Sequence, residues 1–190
     1  MRKNNHTFEI IFHARAGQGA KSAAEILAQA AMSEGKYIQA FPYYGPERSG
    51  APTKSYVRIS DQEIRTHESI VDPDLSVVLD DTLLESVNVA KNITKGESLI
   101  INTKKDKQEV LHFLGDFLGN LKAIDASVIA METIGVSAVN SVILGKIVQV
   151  TEIVKLESLK EEFRKIFEEK IGKELVDKNL MAIEKGHDSL

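Results

Sequence analysis

The segment HARAGQGAKS, residues 13–22, decides how we expect this chain to fold. It follows a short apolar run, Phe8–Phe12, that is typical of a buried strand, and it leads into an alanine-rich run, Ala20–Ser33, that predicts a helix. A strand, a tight turn of small residues and a helix form a cradle for anions, because the first N–H groups of a helix have no partner within it. Arg15 and Lys21 add positive charge beside this turn.

The composition of the chain is that of an ordinary globular protein, with 190 residues, 43% hydrophobic and 27% charged. We expect a single domain over residues 1–190, since this length can bury one core and no repeat or linker interrupts it. The net charge of −4 argues against nucleic acid as a partner. No apolar run resembles a signal peptide or reaches the ~20 residues of a membrane span, so we expect a cytoplasmic protein that does not enter membranes.

The chain contains no cysteine. It therefore forms no disulfide and offers no thiolate to an iron–sulfur cluster. The five histidines, among them His13 beside the turn, lack the helical spacing typical of metal ligands. We accordingly assign neither a metal site nor a catalytic residue to this chain. Asp80 and Asp81 follow a predicted strand, and we expect them to cap the next helix.

Apolar runs alternate with helical patterns, which predicts an α/β fold, a three-layer α/β/α sandwich with a mostly parallel sheet. The predicted strands are Phe8–Phe12, Tyr37–Ala40, Ser55–Ile59, Glu63–Thr66, Leu75–Leu79, Ser98–Asn102 and Leu121–Ile124. The predicted helices are Ala20–Ser33, Leu83–Asn92, Lys107–Leu118, Val128–Ile134, Val139–Val148, Leu156–Phe167 and Lys173–Lys185. The third and fourth strands flank a short polar link and are expected to form one hairpin, which makes the sheet mixed. The C-terminal third is expected to be helical.

The glycine-rich turn departs from two well-known nucleotide-binding motifs. The dinucleotide fingerprint G-x-G-x-x-G has glycine where Ala14 and Ala16 stand, and its acidic residue is missing after Tyr37–Ala40. The phosphate loop G-x-x-x-x-G-K-[ST] has a second glycine where Ala20 precedes Lys21. A Rossmann-like nucleotide-binding protein is therefore an alternative rather than the main interpretation. A plain turn that packs the alanine-rich helix on the sheet is another.

A second unusual segment, Phe41–Pro52, holds three prolines and two glycines. Proline and glycine at this density exclude regular structure and stiffen the path of the chain. The segment leaves the carboxyl end of the second strand. In a parallel sheet that end lies beside the glycine-rich turn, at the edge where ligands usually bind.

Together these segments resemble the gamma subunits of 2-oxoacid:ferredoxin oxidoreductases of the pyruvate type. The similarity lies in residues 15–31 (RAGQGAKSAAEILAQAA), 35–52 (GKYIQAFPYYGPERSGAP) and 56–60 (YVRIS). The family turn G-x-G-G-Q-G is kept at Gly17, Gln18 and Gly19. The family loop Y-G-x-E-x-x-G-A-P is matched at Tyr44, Gly45, Glu47, Gly50, Ala51 and Pro52. A later D-A…N…L-G pattern is matched by Asp125-Ala126, Asn140 and Leu144-Gly145.

The resemblance implies oxidative decarboxylation of a 2-oxo acid with coenzyme A, giving acyl-coenzyme A and a reduced ferredoxin or flavodoxin. The family uses thiamine diphosphate, magnesium and iron–sulfur clusters. This chain has no cysteine and no G-D-G…N pattern, so we expect these groups on companion alpha, beta and delta (ferredoxin-like) subunits. The chain is then inactive alone, and a homodimer in isolation is compatible with the sequence.

The resemblance and the turn together predict a role in positioning coenzyme A. Backbone N–H groups of the turn would bind its pyrophosphate, and nearby cations would neutralise it. The predicted coenzyme A-binding residues are Arg15, Gly17, Gln18, Gly19, Lys21 and Asn140. The alternative within the same family is a purely structural scaffold subunit, whose turn contacts a partner chain instead of a ligand.

Overall fold

The computed structural model describes residues 7–43 and 50–189. The strands are β1 (Thr7–Arg15), β2 (Tyr37–Tyr43), β3 (Pro52–Ser60), β4 (Leu75–Val78), β5 (Ser98–Asn102) and β6 (Asn120–Ile124). The helices are α1 (Ala20–Ser33), α2 (Lys107–Leu114), α3 (Ala126–Thr133), α4 (Val139–Thr151), α5 (Leu156–Ile171) and α6 (Lys173–Asp188), with a short 3-10 helix at Asp81–Glu85. In the part of the chain described, no helix is both long and apolar enough to span a bilayer.

The six strands form one sheet in the order β2-β3-β1-β4-β5-β6. Strands β1, β4, β5 and β6 run parallel to one another, whereas β3 runs antiparallel to both β1 and β2. Because β3 is antiparallel to both of its neighbours, β2 runs in the same direction as β1. The carboxyl ends of β1, β2, β4 and β5 therefore share one edge of the sheet. The predicted mixed, mostly parallel sheet is confirmed.

Both faces of the central strands are covered, which explains why β4 and β5 are almost continuously apolar. On one face, Phe12 of β1 and Val77 of β4 pack in the main core with α1, α3, α4 and α6. On the other face, Val78 of β4 and Leu99 of β5 pack with Val110 of α2 and with the 3-10 helix. Outer helix α5 packs on α1, and α6 packs on α4. These layers confirm the predicted α/β sandwich with a helical C-terminal third.

The predicted hairpin between Ser55–Ile59 and Glu63–Thr66 is wrong. Strand β3 lies between β1 and β2, so both of its edges are already hydrogen-bonded and no edge remains for a further strand. Residues 61–67 are irregular, and Arg65 pairs with Glu63 at 2.9 Å on the surface. The antiparallel character of the sheet comes from β3 itself.

The predicted helix Leu83–Asn92 is also wrong, since the 3-10 helix ends at Glu85 and turns follow. The hydroxyl of Ser76 in β4 donates to the carbonyl of Val89 at 2.6 Å, which turns this backbone group toward the sheet and away from a helix ladder. Asn92 has a φ of 64°, a left-handed conformation that does not continue a helix.

Candidate functional site

The turn between β1 and α1 depends on two glycines in the left-handed region. Gly17 has a φ of 96° and Gly19 a φ of 80°, which side chains with a Cβ rarely adopt. A Cβ on Gly19 would also lie 2.8 Å from Nδ2 of Asn140, whereas a Cβ on Gly17 would meet no atom within 4 Å. The turn is thus closed at Gly19 by the first turn of α4 and open at Gly17.

The side chain of Gln18 ties this turn to the end of β4. Its Oε1 accepts a hydrogen bond from the backbone N–H of Arg15 at 2.7 Å, and its Nε2 donates to Oδ2 of Asp80 at 2.6 Å. The other carboxylate oxygen of Asp80 accepts from the backbone N–H and the hydroxyl of Thr82, at 3.0 and 2.5 Å. Asp80 caps the 3-10 helix as predicted, while Asp81 instead accepts from Lys105 at 2.7 Å.

The guanidinium of Arg15 is held within the chain. It donates to the Thr82 hydroxyl from Nε at 2.9 Å and from Nη2 at 2.7 Å, and to the Gly50 carbonyl from Nη1 at 3.0 Å. Its Nε also lies 3.5 Å from Oδ2 of Asp80. We call these residues, Arg15, Gln18, Asp80 and Thr82, the brace. The brace joins the carboxyl ends of β1 and β4.

The end of the proline-containing segment Phe41–Pro52 is hydrogen-bonded to the same turn. The N–H of Ala16 donates to the carbonyl of Ala51 at 3.0 Å. The predicted meeting of the two loops at one sheet edge is therefore seen for residues 50–52. The family-like residues Tyr44, Gly45 and Glu47, like Arg48, lie outside the described residues.

The other two predicted residues differ in their placement. Asn140 lies on the first turn of α4 against Gly19, so the fold brings it to the glycine-rich turn across more than a hundred residues of chain. Lys21 is exposed on α1, and its ammonium lies 3.7 Å from the carboxylate of Glu25 one helical turn further on. The structure brings Arg15, Gly17, Gln18, Gly19 and Asn140 together, and it leaves the Lys21 ammonium outside this group.

A polar cleft of about 290 Å³ opens next to the brace, at the carboxyl ends of β4 and β5. It is lined by Gln18, Leu79, Asp80, Asp81, Asn102, Ser127, Ser137 and Val139. The first turns of α3 and α4 border it, so the positive ends of two helix dipoles face two carboxylates. Burial alone would raise the pKa of Asp80, but hydrogen bonds from Thr82 and Gln18 and the charge of Arg15 lower it on balance. Asp80 is therefore ionised at neutral pH.

Thr82, Asn102 and Ser127 also belong to this edge and were not predicted from the sequence. Asn102 is the last residue of β5, and its Nδ2 donates to the Leu79 carbonyl at 2.9 Å and to the Ser127 hydroxyl at 3.2 Å. A signal was present in the sequence, because polar residues that directly follow a buried parallel strand lie at the edge where α/β sheets bind ligands.

The sequence offers no thiolate that could bind an iron–sulfur cluster. There is no cysteine anywhere in the sequence. Within residues 7–43 and 50–189, no three His, Asp or Glu side chains gather as metal ligands would.

The model of the pyruvate ferredoxin/flavodoxin oxidoreductase family matches residues 9–189. The chain belongs to this family. It is 46% identical to the pyruvate/ketoisovalerate oxidoreductases common subunit gamma of Thermococcus kodakarensis, over 93% of each chain. It is 42% identical to the pyruvate synthase subunit PorC of Thermotoga maritima, over 96% of this chain and 94% of that protein. The predicted resemblance to gamma subunits is confirmed.

Solved structures agree with this assignment. The crystal structure of the pyruvate oxidoreductase subunit PORC of Thermotoga maritima superposes with a TM-score of 0.86 at 40% identity, covering 96% of both chains. A 2-oxoglutarate:ferredoxin oxidoreductase of Magnetococcus marinus matches with a TM-score of 0.77 at 20% identity, over 96% of this chain and 30% of that one. That second likeness shows a shared fold. The chain is a subunit of a pyruvate/2-oxoacid ferredoxin oxidoreductase.

Proposed function

We propose that this chain is the subunit that helps to seat coenzyme A while a 2-oxo acid is decarboxylated and oxidised to the acyl thioester. Companion alpha, beta and delta subunits would hold thiamine diphosphate, magnesium and the iron–sulfur clusters, and ferredoxin or flavodoxin would accept the electrons. The absence of cysteine from this sequence supports that division of labour. When bound to its own subunit, thiamine diphosphate supplies the electron sink for decarboxylation.

The observation that carries this proposal is the uncapped first turn of α1. Among the residues that the structure describes, no side chain caps this helix, and its first turn contains no acidic residue. Its leading N–H groups and the positive end of its dipole are therefore available to a pyrophosphate. The open space at Gly17 lets a phosphate approach the backbone without meeting a side chain.

The predicted residues would have different roles in this proposal. Both amide atoms of Gln18 are used within the brace, so Gln18 is a positioning residue that holds the turn. Arg15 contributes charge that Asp80 partly offsets. Lys21 pairs with Glu25 on the exposed surface, where such an ion pair contributes only ~0–1 kcal/mol and is readily exchanged for a phosphate.

In this role the subunit positions coenzyme A and takes no part in making or breaking bonds. Holding the thiol of coenzyme A against an acyl group on a neighbouring subunit converts a bimolecular encounter into a nearly unimolecular one. Asn140, which touches Gly19, adds a polar contact at the rim of the turn.

A scaffold role is the second candidate, and one observation favours it. Val128 and Met131 on α3 and Val136 after it expose large apolar side chains. Exposed apolar side chains that cluster on one element suit a contact with another protein. In that case the brace would only shape a surface for a companion subunit.

The test is a titration of coenzyme A against the assembled complex. We expect Lys21→Ala to raise the KM for coenzyme A about fivefold to tenfold with kcat little changed, because one charge-assisted contact is lost. Gln18→Ala should raise the same KM, since the turn loses its tie to Asp80. Lys95→Ala is the matched control, because this exposed lysine precedes the amino end of β5 and so lies at the opposite edge of the sheet.

Assembly of each variant is checked by size-exclusion chromatography with the companion subunits. If both variants assemble and keep the parent KM, coenzyme A is not seated here and the scaffold role stands. Nucleotide binding by the isolated chain, measured by calorimetry, would favour the Rossmann-like alternative instead.

A further inference from the structure

A second cavity, of about 310 Å³, lies on the opposite face of β1 from α1. Along β1, Ile10, Phe12 and Ala14 pack in the core with α1, so the alternate residues Ile11 and His13 face the other way. The cavity lies over β1 and β3 and is closed at the side by residues 69–73 and 88–91. None of its lining residues belongs to the glycine-rich turn or the polar cleft.

His13 lines this cavity, and one nitrogen of its buried ring has no partner within residues 7–43 and 50–189. The residue is 3% exposed, and the atom without a hydrogen-bond partner among the residues that the structure describes is Nδ1. Burial, assisted by the charge of Lys54, lowers the pKa of His13 to about 3, so the ring is neutral at pH 7. Unsatisfied buried polar atoms are rare in folded proteins, and each one calls for an explanation such as a missing ligand.

Two lysines face the same cavity. Lys54 of β3 lies opposite His13 in the sheet register, and Lys91 lies on the far wall. No acidic side chain lines the cavity, and neither lysine pairs with a carboxylate within the described ranges. Elsewhere Lys36 and Lys105, for example, each bind an aspartate. Burial and the charge of Lys91 lower the pKa of Lys54, as expected for two cations without an intervening anion.

We propose that this cavity binds the oxyanion of a small organic phosphate or carboxylate between Lys54 and Lys91. The anion would separate the two ammonium groups, and hydrogen bonding by the ligand or its water would satisfy His13. The walls formed by Ile11, Tyr56 and Ile70 suit an apolar remainder of the ligand. The volume is at the lower end of the range for small-molecule sites, which selects a small acid over a nucleotide. This site is independent of the proposed coenzyme A seat.

The experiment uses the full chain, with the His13 ring followed by NMR while inorganic phosphate or acetate is added at constant ionic strength. We expect saturable shifts with at least one anion and none with chloride. Lys54→Met and Lys91→Met should each weaken binding about tenfold, because each removes a charge-assisted contact. Lys54→Arg should retain binding, and Lys104→Met is the control at an unrelated exposed lysine.

Thermal melts of each variant separate a loss of binding from a loss of folding, and Lys54→Arg gives a charged replacement if Lys54→Met unfolds. Shifts that stay linear with concentration would overturn the proposal. So would affinities that are equal in the parent chain and both Met variants. Loss of phosphate binding on assembly with the companion subunits would also overturn it, since a partner's side chain would then fill the cavity.

Discussion

Glycine serves two different purposes in two regions of this molecule. At the turn before α1, Gly17 and Gly19 are needed for a left-handed backbone. Where α4 crosses α6, Gly145 and Gly186 lie inside helices and are needed for space. A Cβ on Gly145 would be 1.8 Å from the Ile183 carbonyl oxygen, and one on Gly186 would be 2.0 Å from that of Val142. The turn uses glycine to shape a surface, whereas the crossing uses it to bring two backbones together.

The two regions are connected through α4. The crossing is reinforced by a buried hydrogen bond from the Ser141 hydroxyl to Oδ1 of Asn179 on α6, at 2.7 Å. Asn140, the residue before Ser141, contacts Gly19 at the turn. The packing of α6 on α4 therefore fixes the wall against which the glycine-rich turn is built.

The largest effect is expected at the crossing. Gly145→Ala should lower the free energy of unfolding by about 3 kcal/mol or more, because the added methyl group meets backbone that cannot move without separating the helices. Urea denaturation followed by circular dichroism measures this change. Glu161→Ala, on the exposed surface of α5, is the control and should leave stability within about 0.5 kcal/mol.

Combining Gly145→Ala with Gly186→Ala sharpens this test. Once the helices have separated for one methyl group, the second should add less than its own single effect. Full additivity would show that the two glycines do not share one contact.

A smaller effect is expected at the turn. Gly19→Ala should destabilise the chain by about 2 kcal/mol, the cost of a left-handed alanine plus the contact with Asn140. Gly17→Ala should cost only about 1 kcal/mol, since its position is open. Adding Asn140→Ala should recover part of the loss in Gly19→Ala and none of that in Gly17→Ala. Equal losses for both glycines, unaffected by Asn140→Ala, would contradict the closed and open sides described above.

The smallest effect concerns the brace and depends on pH. Hydrogen bonds hold the folded pKa of Asp80 below its ordinary value of 3.8. A group with a lowered folded pKa stabilises the fold fully above its unfolded pKa, and that contribution is lost as pH falls through the folded pKa. Asp80→Asn should therefore cost about 1 kcal/mol at pH 7. The difference between parent and variant unfolding free energies should shrink as pH falls below 3.8.

Denaturant unfolding of both proteins across the acidic range measures this difference. Subtracting the variant's curve from the parent's removes the contribution of carboxylates that Asp80 does not influence, so the remaining pH dependence reports on Asp80 and its immediate neighbours. A gap that stays constant down to the acid limit would mean that Asp80 has no lowered pKa in the folded state.

The fold was largely predictable because most of its elements have local patterns. The runs in β1, β4 and β5 are apolar enough to identify buried strands, and the alanine-rich α1 is unambiguous. The exclusion of regular structure from Phe41–Pro52 was wrong at both ends of the segment, since β2 continues through Tyr43 and β3 begins at Pro52. Two further errors arose where tertiary contacts override local pattern. The alternation in Glu63–Thr66 suits a strand that would pair with β3, but both edges of β3 are already paired. Within Leu83–Asn92, the Val89 carbonyl accepts from the Ser76 hydroxyl instead of from a helix N–H.

Residue patterns predicted the glycine-rich turn and its meeting with the proline-containing segment, and the family resemblance added Asn140. The contacts that build the rest of the site were not predictable. The turn at residues 16–19 is a contiguous motif, whereas the hydrogen bond from Gln18 to Asp80 joins residues 62 positions apart. That contact depends on β4 lying beside β1, and a single sequence does not reveal strand order. The position of Lys54 opposite His13 likewise depends on the register of β3 against β1, which is set by the whole sheet.

The sheet order leaves β2 at one border of the molecule, and Pro42 lies within that strand. Proline has no amide hydrogen, so a stray strand arriving at this border finds an interrupted row of donors. Edge strands with unpaired backbone groups can hydrogen-bond to the edge strand of another molecule and so start aggregation. A newly synthesised subunit that has yet to meet its companions is thereby less prone to self-association along this border.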